Sequence, residues 1–216
     1  MAERAPRSAD GQARWVAITR EAASLIDAQG YHQTTMEDIA HAVGVRKPTL
    51  YHYFKSKEEI LFWIHEDFIN LLLERAEQHA SRLSDEPSEE LREVIADIIG
   101  LMATHRGSVR VFFEHHRELT DEYRGTLEAK RDRYQAYVED VVRRGVKRGE
   151  FREVDPRLTS LALFGMCNWA YQWFRPDGGL ATEEIADRFW GLLLEGLRAG
   201  NPASSTPTPQ TAPSST

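Results

Sequence analysis

Residues Thr35–Lys57 read TMEDIAHAVGVRKPTLYHYFKSK, and the way this stretch folds decides the architecture around it. Thr35 suits a helix N-cap, and Asp38, three residues on, is its reciprocal partner in the manner of a capping box. Ile39, Ala40 and Val43 are spaced to face inward on that helix. Gly44 ends it, because glycine takes the left-handed conformation without penalty, and Val45 plugs the corner. A second short helix runs from about Lys47 to Phe54, with Pro48 in its first turn, where a missing N–H costs nothing. Leu50 and Phe54, four apart, share the buried face. Lys47, Pro48, Thr49, Tyr51, His52 and Tyr53 are left on the sides and outer face. These are hydrogen-bonding, planar or apolar groups of the kinds that read base edges and methyls. Short helix, glycine turn and short helix together make a helix-turn-helix.

Charge supports the same reading. Between Glu37–Asp38 and Glu58–Glu59 there is no acid, while Arg46, Lys47, Lys55 and Lys57 lie in the gap, with His41 and His52 beside them. The whole chain carries a formal net charge of −7, so this local positive face points to a confined polyanion contact, not to a nucleic-acid coat protein.

The length of 216 residues suits one or two compact units, and a hydrophobic content of 41% is enough to build a core. No apolar run approaches the ~18–20 residues that span a membrane. The opening MAERAPRSADGQAR is polar and lacks the apolar segment of a secretory signal. A single cysteine, Cys167, leaves no internal disulfide framework and fits a reducing cytoplasm.

Residues 1–10 read as disordered. A helix from roughly Gln12 to Gln29 places Trp15, Ile18, Ala22, Leu25 and Ile26 on one face, where they roof the reading pair. Arg14 and Arg20 on it are either phosphate contacts or solvated charges. Residues 11–56 make the head. Ser56 with Glu59 opens a long helix, about Lys57 to Ser81, whose first turn brings Lys57 and free N–H groups toward a phosphate. Further helices are expected at Ser88–Arg106, interrupted by Gly107, at Val109–Leu119, and at Asp121–Arg148, stopping at Gly149. Asp155-Pro156 opens a helix that is apolar nearly all round and runs to Phe174. Thr182 starts the last one, ending near Gly200. The tail, residues 201–216, is Pro, Ser and Thr with almost no apolar content and reads as disordered. There is no strand signal, so the fold class is all-α. A helix apolar on every side must be buried on every side. The last two helices are therefore the expected homodimer interface within a second unit, residues 57–200.

The run Lys47-Pro48-Thr49-Leu50-Tyr51-His52-Tyr53-Phe54-Lys55-Ser56-Lys57 closely resembles the recognition helix of the TetR family of transcriptional repressors. So does its approach: Ala22-Ala23, Gly30-Tyr31, Thr34-Thr35, Ile39-Ala40 and Val43-Gly44-Val45. The resemblance covers about residues 14 to 64; beyond that it is one of layout. It implies a three-helix DNA-binding head and a helical ligand-binding and dimerisation domain, with the final two helices of each subunit forming a four-helix bundle. Two recognition helices would then read a palindromic operator on double-stranded DNA. The DNA-contacting candidates are Thr35, Arg46, Lys47, Pro48, Thr49, Tyr51, His52, Tyr53 and Lys57.

The middle helices are expected to enclose an effector pocket, an apolar cavity with a few polar anchors. Met102, Phe112, Phe113, His116, Tyr134, Asn168, Trp169 and Trp173 are candidates for its lining, with ordinary core packing the alternative for each. Arg175 suits either an anionic ligand or a helix C-terminus. The pattern Asn168-Trp169, Trp173-Phe174-Arg175-Pro176 and Gly178 is similar to that of TetR-family regulators of fatty-acid, steroid and aromatic-acid breakdown, whose effectors are acyl-CoA thioesters. By that resemblance an acyl chain would enter the aromatic pocket and Arg143, Arg144, Lys147 and Arg148 would be available to the CoA phosphates, unless they are simply solvated. Another hydrophobic effector, such as a drug, is the alternative.

Adjacent helix positions point about 100° apart, so His115 and His116 cannot easily share a metal ion. Cys167 reads as a small buried hydrophobe. No phosphate-binding glycine loop, nucleophile elbow or zinc motif is present, so no enzyme activity, cofactor or metal is expected. A repressor released by ligand is the leading reading. A ligand-binding module with a vestigial head and an activator are the rivals.

Overall fold

The computed structural model describes residues 8–198. Ten α-helices account for nearly all ordered structure among them: α1 Ala9–Gln29, α2 Met36–Ala42, α3 Lys47–Tyr53, α4 Lys57–Leu83, α5 Pro87–Thr104, α6 Arg106–Glu114, α7 Asp121–Arg148, α8 Pro156–Asn168, α9 Ala170–Trp173 and α10 Thr182–Leu197. A 3-10 turn, His116–Glu118, joins α6 to α7, and the one extended pairing among the described residues is the bridge Phe151–Arg198. α1 starts three residues earlier than its periodicity suggests, with Ser8 as its cap. The expected disorder of residues 1–7 and of the tail falls outside the described residues.

In the head, α1 to α3 close around the first turns of α4. Thr35 accepts from the Asp38 N–H while the Asp38 carboxylate accepts from Thr35, so the capping box forms as its spacing requires. Gly44 adopts φ 67° between α2 and α3. Ile18, Ile26, Ile39, Leu50, Phe54, Ile60 and Leu61 are fully buried, and the rings of Trp15 and Phe54 approach to 4.1 Å. This is a complete small core, sealed by residues close in sequence.

α4 is 27 residues long, about 40 Å at 1.5 Å per residue. It leaves the head and packs against α5, α6 and α7. Buried polar groups tie this second unit together. Glu90, with no exposed surface, accepts from Tyr137 at 2.8 Å and Arg144 at 2.6 Å. Asp97 holds both Arg75 at 2.8 Å and His79 at 2.6 Å. Past Gly149, the Phe151 ring lies flat against Gly145, where a Cβ would fall 2.2 Å from it.

Two boundaries differ from expectation. The break between α5 and α6 falls at His105, and Gly107 lies inside α6. A Cβ there would sit 3.2 Å from the backbone of Ala23 and Ser24, so Gly107 serves the close approach of α6 to α1 instead of stopping a helix. The apolar helix expected to run unbroken to Phe174 is interrupted at Trp169, which separates α8 from the single turn α9.

Candidate DNA interface and effector cavity

α3 turns Leu50 inward and leaves Arg46, Lys47, Pro48, Thr49, Tyr51 and His52 exposed, while Tyr53 is half-buried at the edge of the head core. Tyr51 retains 46% of its surface, although the residues on either side of it in the helix's inner face retain none. Lys47 lies 3.3 Å from Glu37, a solvent-exposed pair that holds α3 to α2 only weakly. Arg46 and Lys55 are exposed and their side chains make no ion pair among the described residues, while the Lys55 backbone N–H donates to Glu59 at 2.5 Å. The Thr35 hydroxyl is occupied by Asp38, at 2.7 Å.

Lys57 is placed otherwise than the sequence suggests. Its ammonium donates to the carbonyls of Tyr31 at 2.5 Å and Thr34 at 2.7 Å and sits 4.2 Å from the Tyr31 ring centroid. Burial pushes its pKa down. The side chain therefore ties the α1–α2 loop to α4 and is not presented as a free phosphate contact.

The second site is a cavity of about 310 Å³ between α4, α5, α6, α7 and α8. Phe112, Phe113, His116, Tyr134 and Asn168 line it, as their sequence setting suggests. The other candidates do not. Met102 is buried and faces a separate recess beside Val109 and Phe174. Trp169 and Trp173 keep 63% and 42% of their surface, because the break at Trp169 leaves both on the outer side of α8 and α9. Arg175 is exposed, 3.8 Å from Asp177. Nor do the four cations at the end of α7 reach the cavity: Arg143 and Arg144 hold Asp140, Arg148 holds Asp85 and Glu150, and Lys147 is solvated.

Phe68, Ile69 and Leu72 of α4, Ile98 of α5 and Phe164 of α8 complete the apolar wall, and Gln135 and Arg131 of α7 add to its polar part. The apolar residues had a sequence signal, since helical spacing turned them inward, but that signal does not separate cavity wall from core. Arg131 had none: it is one of many charges on a strongly charged helix. Its guanidinium lies 4.3 Å from the Phe112 ring centroid, and burial lowers its pKa. Beneath Phe112, the fully buried His65 donates through Nδ1 to the Leu61 carbonyl at 2.9 Å. Burial pushes its pKa down to about 4, so the ring is neutral. Burial pushes the Cys167 thiol up to about 12, which makes it a packing group and not a nucleophile.

α6 touches both the cavity and the head. Phe112 and Phe113 face the cavity, while Gly107 rests on Ala23 and Arg110 Nε stands 2.9 Å from Asp27 of α1. The turn after α6 continues the contact, with His32 at 3.3 Å from Glu118, and the Thr120 N–H donates to Glu58 at 2.8 Å. Among the described residues no group of three or more His, Cys, Asp or Glu is placed to hold a metal, and no helix is long and apolar enough to cross a membrane.

A helix-turn-helix head on an all-helical second unit defines the class: a DNA-binding transcriptional regulator. The family model for bacterial regulatory proteins of the tetR family matches residues 18–63, and that for the tetracyclin repressor-like C-terminal domain matches residues 84–197. The chain belongs to the TetR family of transcriptional repressors. It is 28% identical over 178 residues to the transcriptional repressor KstR2 of Rhodococcus jostii, covering 82% of this chain and 87% of that protein. The crystal structure of AibR in complex with isovaleryl coenzyme A and operator DNA is similar at 36% identity and a TM-score of 0.72, over 84% of this chain and 98% of that one. FadR from Bacillus subtilis in complex with stearoyl-CoA is similar at 26% identity and a TM-score of 0.71, over 84% and 98%.

Proposed function

We propose that this chain is a homodimeric repressor that holds a palindromic operator through α3 and releases it when an acyl-CoA thioester enters the cavity. The observation that carries the reading is the double engagement of α6, whose Phe112 walls the cavity while its Gly107 rests on the head. A ligand that favours one placement of α6 thereby favours one placement of α1. It shifts the equilibrium only by the difference in its affinity for the two states.

The head, residues 11–56, reads base edges with Thr49, Tyr51 and His52 of α3 and meets phosphates through Arg46, Lys47 and Lys55. The rest of the chain binds ligand and dimerises. Leu158, Leu161, Trp169, Trp173, Leu180 and Leu192 are large apolar residues left exposed on and between α8 and α10. An apolar patch of that extent is a partner surface, and a second copy of the same chain covers it. Two copies then present two α3 helices about 34–36 Å apart, one turn of duplex, or a multiple of that spacing. Such a regulator works in the cytoplasm, beside its operator, with no cofactor of its own.

The AibR and FadR complexes support the effector class, as does the apolar cavity with its few polar groups. The test is retardation of the DNA immediately upstream of the gene by the full chain at physiological salt, with and without acyl-CoA, together with mass spectrometry of small molecules released on denaturing the purified protein. Retardation relieved by acyl-CoA, or a co-purified CoA thioester, supports the reading. Equal affinity for any DNA, unchanged by every acyl-CoA, contradicts it.

A further inference from the structure

The cations of α7 are nearly all spoken for. Arg124 holds Asp121, Lys130 holds Glu66, Arg133 holds Glu77, Arg143 holds Asp140, Arg144 holds Glu90 and Arg148 holds Asp85. Lys147 has no acid but stands in solvent. Arg131 is different: it is half-buried against the cavity, it makes no ion pair among the described residues although the charge of Glu128 acts on it, and its Nε is a buried donor without an acceptor. Leaving such a donor unpaired is costly, and a guanidinium in an apolar wall is costlier still.

Its surroundings fix its aim. The guanidinium carbon lies over the Phe112 ring, 4.3 Å from its centroid, a contact that arginine makes readily because it is weakly hydrated. Around it stand the other polar groups of the cavity: His116, which donates to the Phe113 carbonyl, Gln135, which donates to Glu139, and Asn168, which has no partner among the described residues. The remainder of the wall, from Phe68 and Leu72 to Ile98 and Phe164, is apolar. Arg131 and His116 also border a small adjoining recess whose wall includes Arg124 and Glu128. Arg131 thus stands at the polar end of an apolar chamber. The matching ligand has an apolar body headed by an oxygen acceptor.

We propose that Arg131 recognises the carbonyl oxygen of an acyl effector, the thioester or the free carboxylate being the two sources of that oxygen. This rests on the cavity being the effector site. The experiment is calorimetric titration of the full-length protein with octanoyl-CoA and with octanoate, for the wild type, Arg131→Ala and Arg131→Lys. Arg131→Ala should weaken octanoyl-CoA by about tenfold or more, the scale of one lost charge-assisted hydrogen bond, with lysine restoring part of the loss. Should Arg131→Ala fail to fold, the infrared stretch of an isotope-labelled thioester carbonyl bound to the wild type reads the same contact and should shift down from its position in the free thioester. Octanoate binding as well as octanoyl-CoA, and equally dependent on Arg131, identifies the free acid as the source of the oxygen. Arg131→Ala within a factor of about two of wild type, less than one such bond, or an unshifted carbonyl stretch, overturns the role of Arg131 and leaves the effector reading standing. If neither thioester nor acid binds, the effector reading itself fails.

Discussion

α3 offers Thr49, Tyr51 and His52 to solvent from seven consecutive residues, whereas the cavity assembles Phe68, Ile98, Phe112, Arg131 and Phe164 from five helices. The first site is a short, locally capped element with its polar face outward. The second is an interior left between long helices, and its chemistry depends on how those helices sit. Mutations in the first should therefore act on DNA affinity or on the head alone. Mutations in the second should act on ligand binding and on the second unit's stability.

The largest test is Phe54→Ala. Phe54 is fully buried against Trp15, so its truncation should destabilise the head by about 3–5 kcal/mol. Denaturant melts should show the head unfolding early and operator binding lost, while octanoyl-CoA affinity survives. Simultaneous loss of both functions would break the contrast between the two sites.

Next comes acid. The folded pKa of His65, about 4, lies below its ordinary 6.5, so its contribution to stability is complete above pH 6.5 and is lost as pH falls from 6.5 toward 4. A shift of that size corresponds to about 3 kcal/mol, and His65→Gln should flatten this limb of a stability–pH profile. An unchanged limb would show that the ring is not the group that titrates.

Lys57→Met and Arg46→Ala should separate scaffold from contact. The Lys57 change removes two charge-assisted bonds to carbonyls and should lower head stability by about 1.5–3 kcal/mol, with the salt slope of operator binding unaltered. Arg46→Ala should leave stability alone and reduce that slope by about one. A salt slope that falls with Lys57→Met would return Lys57 to the phosphate contacts.

The smallest effect belongs to Tyr51→Ala and Thr49→Ala. Each should weaken operator binding by about 1–3 kcal/mol, with a changed preference at one base pair and thermal stability within about 0.5 kcal/mol of wild type. An equal loss on every sequence would remove that residue from base reading.

The same contrast explains what could be read from the chain unaided. The Thr35–Asp38 box, the Gly44 turn and the Leu50–Phe54 pair are local, each complete within five residues, and all of them form. The placement of Lys57 is not legible locally because its partners, Tyr31 and Thr34, lie more than twenty residues back. Gly107 looked like a breaker because nothing in its own neighbourhood announces the backbone of α1 against it. The exposure of Trp169 and Trp173 is not legible because a helix apolar all round gives no direction, and the break falls at Trp169. Arg131 is indistinguishable by sequence from its neighbours on α7; only its burial against the cavity and the lack of an ion pair set it apart.

The central claim is that cavity and operator are coupled through α6. The direct measurement is the affinity of the full-length protein for octanoyl-CoA in the absence of DNA and again with saturating operator. Reciprocal linkage requires the operator to weaken octanoyl-CoA by the same factor by which octanoyl-CoA weakens the operator, about 5–150-fold for an ordinary coupling. The same acyl-CoA affinity in both states would contradict it.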